Sequence, residues 1–292
     1  MLVENTLFGV KDKVKIAIDR LRAVEPPEGY YLAFSGGKDS QCIYHLAKEA
    51  GVKFDAHYNI TGIDPPELVY FIREYYPDVK HDMYKESMWK LIEKNGPPTR
   101  LNRFCCKELK ERGGEGRICI TGVRWAESVR RKNDRRAFEF MGSSKKNRVL
   151  FNDNDEGRRQ FENCTLKGKF IVNPIIDWED ADVWEYLNKR QIPHCCLYDE
   201  GFKRLGCVGC PMAGVGRVKE FQRWPKFEDA YKRAIARFIP GYIERRKAMG
   251  KEPLYTTVDE WWNWWIYGTD KKLIIIDGQQ EIEVEAGGGK GG

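Results

Sequence analysis

The chain has 292 residues, of which 41% are hydrophobic and 32% are charged, a composition typical of soluble globular proteins. It contains no run of ~18 apolar residues, and its first residues lack the apolar core and cleavage site of a secretory signal, so we expect no membrane partner and no export. Nine cysteines, several of them in pairs, favour metal or redox chemistry in the cytoplasm over a secreted disulfide scaffold. The net charge of +6 merely permits binding of a polyanion.

The first clear strand is the apolar, aromatic run at residues 30–34. It is followed at once by the hexapeptide Ser-Gly-Gly-Lys-Asp-Ser, and then by Ile43, Leu46 and Ala47 at helical spacing. In a strand, loop and helix of this kind, backbone N–H groups and the positive end of the helix converge on phosphate oxygens. The sequence therefore predicts a phosphate-binding loop at residues 35–40.

The composition of this loop assigns a role to each residue type. The six residues are Ser35, Gly36, Gly37, Lys38, Asp39 and Ser40. Glycines permit close backbone approach, serine hydroxyls add donors, and Lys38 supplies a mobile positive charge. Asp39 is expected to cap the helix or to help hold a magnesium ion. The spacing matches neither a Walker A loop nor the dinucleotide motif G-x-G-x-x-G.

The next segments continue to alternate between strand and helix. Residues 54–60 are predicted to be a strand, residues 66–76 a helix, and residues 118–121 a buried strand. Such alternation predicts an α/β fold with a parallel sheet and right-handed crossovers.

Residues 124–136 form a basic run with six basic and two acidic residues. The run suits a ligand that carries phosphate or sulfate, or a nucleic-acid backbone, although a solvated loop is an equal alternative.

Residues 139–169 are polar and irregular, and we interpret them as a long excursion or flap. A helix follows, with Asp177 as the predicted N-cap and Asp180 in the first turn.

The last third of the chain, residues 224–265, is predicted to be helical and ends in a cluster of tryptophans. Such tryptophans more often cover a core or a partner subunit than stack on bases or mark a membrane interface. We predict a nucleotide-binding and cysteine-cluster domain at residues 1–220, a helical region at residues 221–285, and a disordered glycine-rich tail at residues 286–292.

Four cysteines stand in two pairs, Cys105 with Cys106 and Cys207 with Cys210. A C-x-x-C pair alone is compatible with a zinc knuckle, a redox disulfide or half of a cluster site. Adjacent cysteines reach one tetrahedral zinc with difficulty, whereas each can bind a separate iron of a 4Fe-4S cluster. The softness of thiolate therefore favours an iron–sulfur cluster or zinc over magnesium or calcium at these cysteines.

The other cysteines are expected to be structural. Cys195 and Cys196 form a second adjacent pair, which offers an alternate ligand set, but structural burial is the favoured interpretation. Cys42, Cys119 and Cys164 are interpreted as ordinary thiols.

Several segments together carry a resemblance to a known family. Besides the loop, these are Thr61-Gly62 with Pro66-Glu67, the run ITGVRWAES at residues 120–128, NPIIDWEDADVW at residues 173–184, and LYDEGFKRLGCVGCPM at residues 197–212. In this order they resemble the phosphoadenosine phosphosulfate (PAPS) reductase family of the PP-loop superfamily, over about residues 28–213. Its cluster-bearing members, the adenylylsulfate reductases, use a CC pair followed distantly by C-x-x-C. The resemblance therefore implies a 4Fe-4S cluster on Cys105, Cys106, Cys207 and Cys210, with zinc and reduced structural thiols as alternatives.

The resemblance implies a Rossmann-like adenine nucleotide α-hydrolase fold with a twisted parallel sheet. It implies that Thr61, Gly62, Gly122, Arg124, Glu127 and Ser128 join the loop in binding the nucleotide, and that Lys38, Asp39 and Arg124 serve catalysis. It also implies chemistry at the α-phosphate of ATP or another adenylate, with release of pyrophosphate.

The resemblance breaks at one place. Sulfonucleotide reductases carry a nucleophilic cysteine in a C-terminal Glu-Cys-Gly-Leu-His segment, and this sequence has no cysteine after Cys210. The intact loop is more similar to ATP-using members of the superfamily. We therefore expect ATP with Mg²⁺ to activate an acceptor for sulfur transfer, with nucleic acid as one candidate acceptor and a sulfur donor or thiol reductant protein as partner.

Two alternatives stay open at this point. The first is a reductase that acts on PAPS or adenylylsulfate and forms sulfite. The second is a non-catalytic nucleotide- or nucleic-acid-binding module that is stabilised by zinc.

Overall fold

The structure is a computed structural model that describes residues 1–7, 9–110, 113–142, 150–151, 168–214, 216–268, 273–276 and 279–282. The chain divides into two compact units. The first contains Met1–Asn59, Pro66–Asp82 and Arg112–Leu205, and the second contains Ile60–Pro65, Met83–Glu111 and Gly206–Gly292. The predicted boundary at residue 220 stays a prediction. Most of the predicted excursion at residues 139–169, and the predicted tail at residues 286–292, lie outside the described residues.

A seven-stranded sheet dominates the first unit, with strand order β5-β4-β3-β6-β9-β7-β8. Its strands are β3 (Tyr30–Phe34), β4 (Phe54–Ile60), β5 (Lys80–Met83), β6 (Ile118–Ile120), β7 (Phe138–Gly142), β8 (Leu150–Phe151) and β9 (Gly168–Val172). The neighbours β4, β3, β6 and β9 pair in parallel, whereas β7 pairs antiparallel with β9 and with β8. The predicted α/β class with a parallel sheet is confirmed, and the antiparallel edge is an addition to it.

The described part of the first unit also contains five α-helices. They are α1 (Lys13–Ala23), α2 (Lys38–Ala50), α3 (Pro66–Tyr75), α6 (Val129–Asp134) and α7 (Asp180–Lys189). Leu21, Leu32 and Leu46, from α1, β3 and α2, are fully buried. A hairpin of β1 (Val3–Thr6) and β2 (Gly9–Asp12) precedes α1. Burial of these apolar side chains is the main stabilising contribution to the unit.

The start of α7 corrects one prediction. Glu179, not Asp177, is the N-cap, and it shares a capping box with Asp182. The carboxylate of Asp177 instead accepts a hydrogen bond from Arg20 at 2.8 Å and forms an ion pair with Lys11. The prediction was wrong because these distant cations take the carboxylate that local sequence assigned to the helix end.

The second unit is mainly helical. Its elements are α4 (Met88–Asn95), α5 (Phe104–Leu109), α8 (Gly216–Arg223), α9 (Pro225–Ala248), α10 (Val258–Tyr267) and a hairpin of β10 (Leu273–Ile276) with β11 (Gln279–Ile282). The predicted helical C-terminal region is confirmed. Trp261, Trp262, Trp264 and Trp265 are all buried, so these tryptophans form a core, as the favoured interpretation expected. In the part of the chain that the structure describes, no helix is both long and apolar enough to span a membrane.

Candidate functional site

The predicted phosphate loop lies at the carboxyl end of β3, which is flanked by β4 on one side and β6 on the other. The strands that follow β3 in the chain, β4 and β5, lie on one side of it, and the later strands β6 to β9 lie on the other. Open α/β sheets bind ligands at such a switch in strand order. Gly36 has a φ of 72°, and a Cβ there would lie 2.7 Å from a side-chain carbon of Ile72 on α3. Glycine is therefore required by both conformation and space at this position.

Side chains of the loop hold the first turn of α2. Ser40 Oγ donates to the Gly37 carbonyl at 2.8 Å and accepts from the Ser35 N–H at 3.2 Å. The Lys38 N–H donates to the Tyr198 hydroxyl at 2.9 Å. Tyr198 was not among the predicted site residues, because nothing in its local sequence relates it to a loop 160 positions earlier.

Two buried cations converge at the start of α2. Lys38 and Arg124 are 6% and 2% exposed, and both contact the same two carboxylates. Arg124 donates to Asp39 through Nε at 2.7 Å and to Asp180 through Nη2 at 2.5 Å. Lys38 Nζ lies 3.3 Å from Asp39 and 3.4 Å from Asp180. The structure thus brings together Lys38, Asp39 and Arg124, the three residues predicted to serve catalysis.

Asp180 is the residue of this group that sequence reasoning did not assign to the site. Its side chain is 67% exposed, whereas that of Arg124 is almost fully covered. Partial burial raises the pKa of Asp180, but the hydrogen bond from Arg124 and the charge of Lys38 outweigh this and lower the pKa overall. The carboxylate is therefore charged at neutral pH. Because it reaches solvent, an anionic ligand can take its place beside Lys38 and Arg124.

The segment after β6 supports Arg124. A Cβ at Gly122 would lie 3.1 Å from the backbone carbonyl of Asp39, so Gly122 allows the close approach of this segment to α2. Glu127 accepts from the Arg124 N–H at 3.0 Å and forms an ion pair with Arg131. Ser128 caps α6 by accepting from the Arg131 N–H at 3.2 Å. Glu127 and Ser128 therefore position the arginines in this structure.

Arg131 adds a further cation to this region. Burial lowers its pKa to about 10, and the charges of Arg204 and Arg135 act in the same direction. Arg135 is in turn paired with the buried carboxylate of Glu139 at 2.6 Å. The basic run is therefore largely engaged in short helices and ion pairs, unlike the solvated loop that was one interpretation of it.

Thr61 and Gly62, also predicted to bind nucleotide, belong to the second unit. Thr61 Oγ1 donates to Asp64 at 2.7 Å and lies 3.6 Å from the Cys207 thiol, which donates to it. In this structure the Thr-Gly pair therefore contacts the C-x-x-C segment.

All four predicted ligand cysteines also lie in the second unit. Cys105 and Cys106 lie in the first turn of α5, and Cys207 and Cys210 flank a tight turn that contains Gly209. Gly209 has a φ of 74°, and a Cβ there would lie 2.5 Å from the ring of Phe221. The C-x-G-C sequence thus suits a turn that packs directly against aromatic rings.

The four thiols are half-buried and close enough to influence one another. A hydrogen bond with Cys106, then burial, then the charges on Cys207 and Cys210 raise the pKa of Cys105. Burial raises the pKa of Cys207 to about 11, and the positive charge of Lys110 acts against it.

The thiols do not converge on a single point. Among the described residues, no three His, Cys, Asp or Glu side chains are placed to hold one metal ion. A single zinc needs every sulfur about 2.3 Å from one centre, whereas the separate irons of a cluster accept thiolates that stand farther apart. Four thiols that influence one another, with the positive charge of Lys110 beside Cys207, are donors of the type that a 4Fe-4S cluster uses.

The burial that was favoured for Cys195 and Cys196 is confirmed for Cys195 and wrong for Cys196. Cys42, Cys119 and Cys195 are buried, and Cys196 is exposed at the start of a short 3-10 turn in the first unit. Cys164 lies outside the described residues.

Comparison with known proteins identifies the family. Residues 29–213 match the model of the phosphoadenosine phosphosulfate reductase domain, and the chain belongs to this family. It is 26% identical to an uncharacterized protein of Methanocaldococcus jannaschii over 68% of this chain and 40% of that protein.

Two named relatives differ in their chemistry. The chain is 24% identical to an adenosine 5'-phosphosulfate reductase of Staphylococcus haemolyticus, over 58% of this chain and 63% of the relative. It is 26% identical to a probable FAD synthase of Schizosaccharomyces pombe, over 69% of each chain. The chain spans less than half the length of the first two curated relatives that it matches, 40% and 48%.

Proposed function

We propose that this chain is an ATP-using member of the PAPS reductase family that activates an acceptor for sulfur transfer. The observation that carries the proposal is the convergence of Lys38 and Arg124, both buried, at the N-terminus of α2 behind a glycine loop. Buried cations at a helix N-terminus are suited to the charge of a polyphosphate. The similarity to a probable FAD synthase supports an adenine nucleotide as the ligand.

In this proposal the loop binds the phosphates and the acceptor oxygen attacks the α-phosphorus. The bond between the α-phosphorus and the bridging oxygen breaks, and pyrophosphate leaves with the electron pair. In this proposal Lys38 and Arg124, which both contact Asp39, stabilise the charge that develops on the leaving group. Asp39 would hold the Mg²⁺ that accompanies ATP. A sulfur nucleophile at the sulfide level then attacks the acceptor, and AMP leaves with the acceptor oxygen. These two steps need no external oxidant.

Cys105, Cys106, Cys207 and Cys210 would hold a 4Fe-4S cluster, which would supply redox and sulfur chemistry. The sulfur comes from a donor protein in this scheme. Nucleic acid is one candidate acceptor, although much of the basic run that suggested it forms internal ion pairs.

A second candidate function is reduction of a sulfonucleotide to sulfite, which the family assignment and the adenosine 5'-phosphosulfate reductase relative favour. The two differ in the nucleotide they consume. ATP activation releases pyrophosphate and AMP, whereas reduction of adenylylsulfate releases sulfite and AMP.

The test is to measure binding of ATP with Mg²⁺, adenylylsulfate and PAPS by the anaerobically purified chain. We expect tighter binding of ATP, and about ten- to hundredfold weaker binding after Lys38→Ala, since a charge-assisted contact is lost. Lys48→Ala is the matched control, because Lys48 lies on the same helix with its side chain 53% exposed.

Stronger binding of a sulfonucleotide, with sulfite formed from it, would replace the proposal by the reductase. Nucleotide binding without turnover, together with zinc in place of iron, would indicate the non-catalytic module.

A further inference from the structure

A buried arginine of the second unit has one N–H group without a hydrogen-bond partner among the described residues. Arg217, on α8, is 1% exposed. Its Nε donates to the Gly214 carbonyl at 3.2 Å and its Nη2 donates to the Ile266 carbonyl at 3.1 Å. Among the described residues its Nη1 has no hydrogen-bond partner, although it is buried. Burying a guanidinium with a free N–H is costly unless an anion or acceptor compensates.

Arg217 is anchored to the turn that carries one of the thiols. Cys210 caps the 3-10 turn Pro211–Ala213, and the Ala213 N–H donates to the Cys210 carbonyl at 2.8 Å. Gly214, which ends this turn, is the residue whose carbonyl accepts from Arg217. The guanidinium is thus fixed relative to the Cys210 backbone by two consecutive hydrogen bonds.

The other groups around Arg217 in the described part of the chain do not supply a hydrogen-bond acceptor for its Nη1. Burial lowers its pKa, and the negative charges of Cys210 and Glu220 oppose that effect, in that order. Glu220 accepts from the Gly209 N–H at 2.8 Å. Trp265 lies under the guanidinium, with 5.2 Å between the guanidinium carbon and the ring centroid. Two hydrogen bonds and the ring of Trp265 fix the position of the guanidinium, as expected for a charge that acts on a bound group.

We propose that Arg217 is the buried countercharge of the metal group held by the four thiols, and that its Nη1 donates to a sulfur of that group. This rests on the cluster in the proposed function, because a cubane on four thiolates carries net negative charge. Hydrogen bonds to the sulfurs and nearby charge set the reduction potential of such clusters. Arg217 is therefore a positioning and tuning residue.

The experiment uses the full chain, purified anaerobically, with Arg217→Gln and Arg217→Lys. Iron and sulfide are counted, the midpoint potential is measured by spectroelectrochemical titration, and iron loss to a chelator is timed. Loss of the positive charge disfavours the reduced, more negative cluster. We expect the glutamine variant to have a more negative midpoint potential and to lose iron about ten- to hundredfold faster. The lysine variant, which keeps the charge, should retain a potential close to that of the parent chain.

Arg223→Gln is the matched control, because Arg223 lies on the same helix and is exposed. It should leave both measurements unchanged. An intact cluster whose potential is the same with glutamine and with lysine at position 217 would overturn the proposal while leaving the cluster in place. A parent chain that binds no iron and sulfide would overturn the cluster and this proposal together, and the iron count separates the two failures.

Discussion

The buried cations of the phosphate loop in the first unit and of the thiol site in the second have different partners. In the loop, Lys38 and Arg124 are neutralised by carboxylates, one of which, Asp180, is largely exposed. At the thiols, Arg217 is held by backbone carbonyls and has a buried N–H without a partner among the described residues. Carboxylates that reach solvent can be displaced by a ligand that comes and goes, whereas an uncompensated buried charge suits a group that stays bound.

The largest expected effect comes from removing a thiol. Cys207→Ser or Cys210→Ser should abolish iron and sulfide binding, because a hydroxyl is a poor ligand for a thiolate-held cluster. Nucleotide affinity should stay within about twofold if the two sites are independent. Metal analysis and visible absorbance check the first result, and calorimetric titration with nucleotide checks the second. Cys196→Ser, at an exposed cysteine of the first unit, is the control and should keep its iron.

A second test separates the effect of a positive φ from the effect of close side-chain packing at Gly36 of the phosphate loop. Gly36 and Gly51 have almost equal φ values, 72° and 71°, but a Cβ at Gly51 would meet nothing within 4 Å. Alanine at either position should cost about 1–2 kcal/mol of the free energy of unfolding. Gly36→Ala should in addition displace α3 and weaken nucleotide binding by at least about tenfold, as a steric clash in the loop predicts. Equal nucleotide affinity in the two variants would show that the close packing of Gly36 is unimportant.

A smaller effect is expected at Asp180. Asp180→Asn keeps the shape but removes one of the two carboxylates that bind Lys38 and Arg124. Because an exposed ion pair contributes up to about 1 kcal/mol, nucleotide should bind up to about fivefold more tightly. Asp199→Asn, at an aspartate whose side chain is 70% exposed, serves as the control. Weaker nucleotide binding in Asp180→Asn would indicate that this carboxylate contacts the bound ligand or its Mg²⁺.

The smallest effect concerns pH and the first unit alone. Burial lowers the pKa of His45, on α2, to about 4. Between pH 6.5 and pH 4 the unfolded chain therefore binds a proton that the folded chain does not. Stability should be complete above pH 6.5 and should fall by roughly 1 kcal/mol as pH drops through this window, since partial exposure screens the effect. Urea denaturation at several pH values checks this. His45→Gln should flatten part of the slope, while His81, whose pKa is also lowered, keeps the remainder.

Local patterns account for what the sequence predicted well. The strand at residues 30–34, the loop and α2 follow from apolar runs, glycines and helical spacing that all lie within about twenty residues. The partnership of Lys38, Asp39 and Arg124 was reached through motif resemblance, and the structure brings the three together.

The rest depends on contacts that sequence spacing does not encode. Asp180 meets Arg124 across 56 positions, and no local pattern distinguishes it from Asp177, which pairs with Arg20 instead. The local sequence does not distinguish Arg217 from an exposed arginine. Its burial follows from its contacts with Trp265 and Ile266. Identifying either residue required the packing of elements that are far apart in the chain.

The aromatic packing of the second unit also provides an optical reporter. Tyr231 lies 4.8 Å from Trp265 and 5.3 Å from Trp89 between ring centroids, and its hydroxyl donates to the carbonyl of Val208 in the C-x-G-C turn. An iron–sulfur chromophore at this turn would absorb in the range where indoles emit, and would quench their fluorescence by energy transfer. The emission of these tryptophans should therefore rise as the chromophore is lost, which allows its assembly to be followed in dilute solution without any added label.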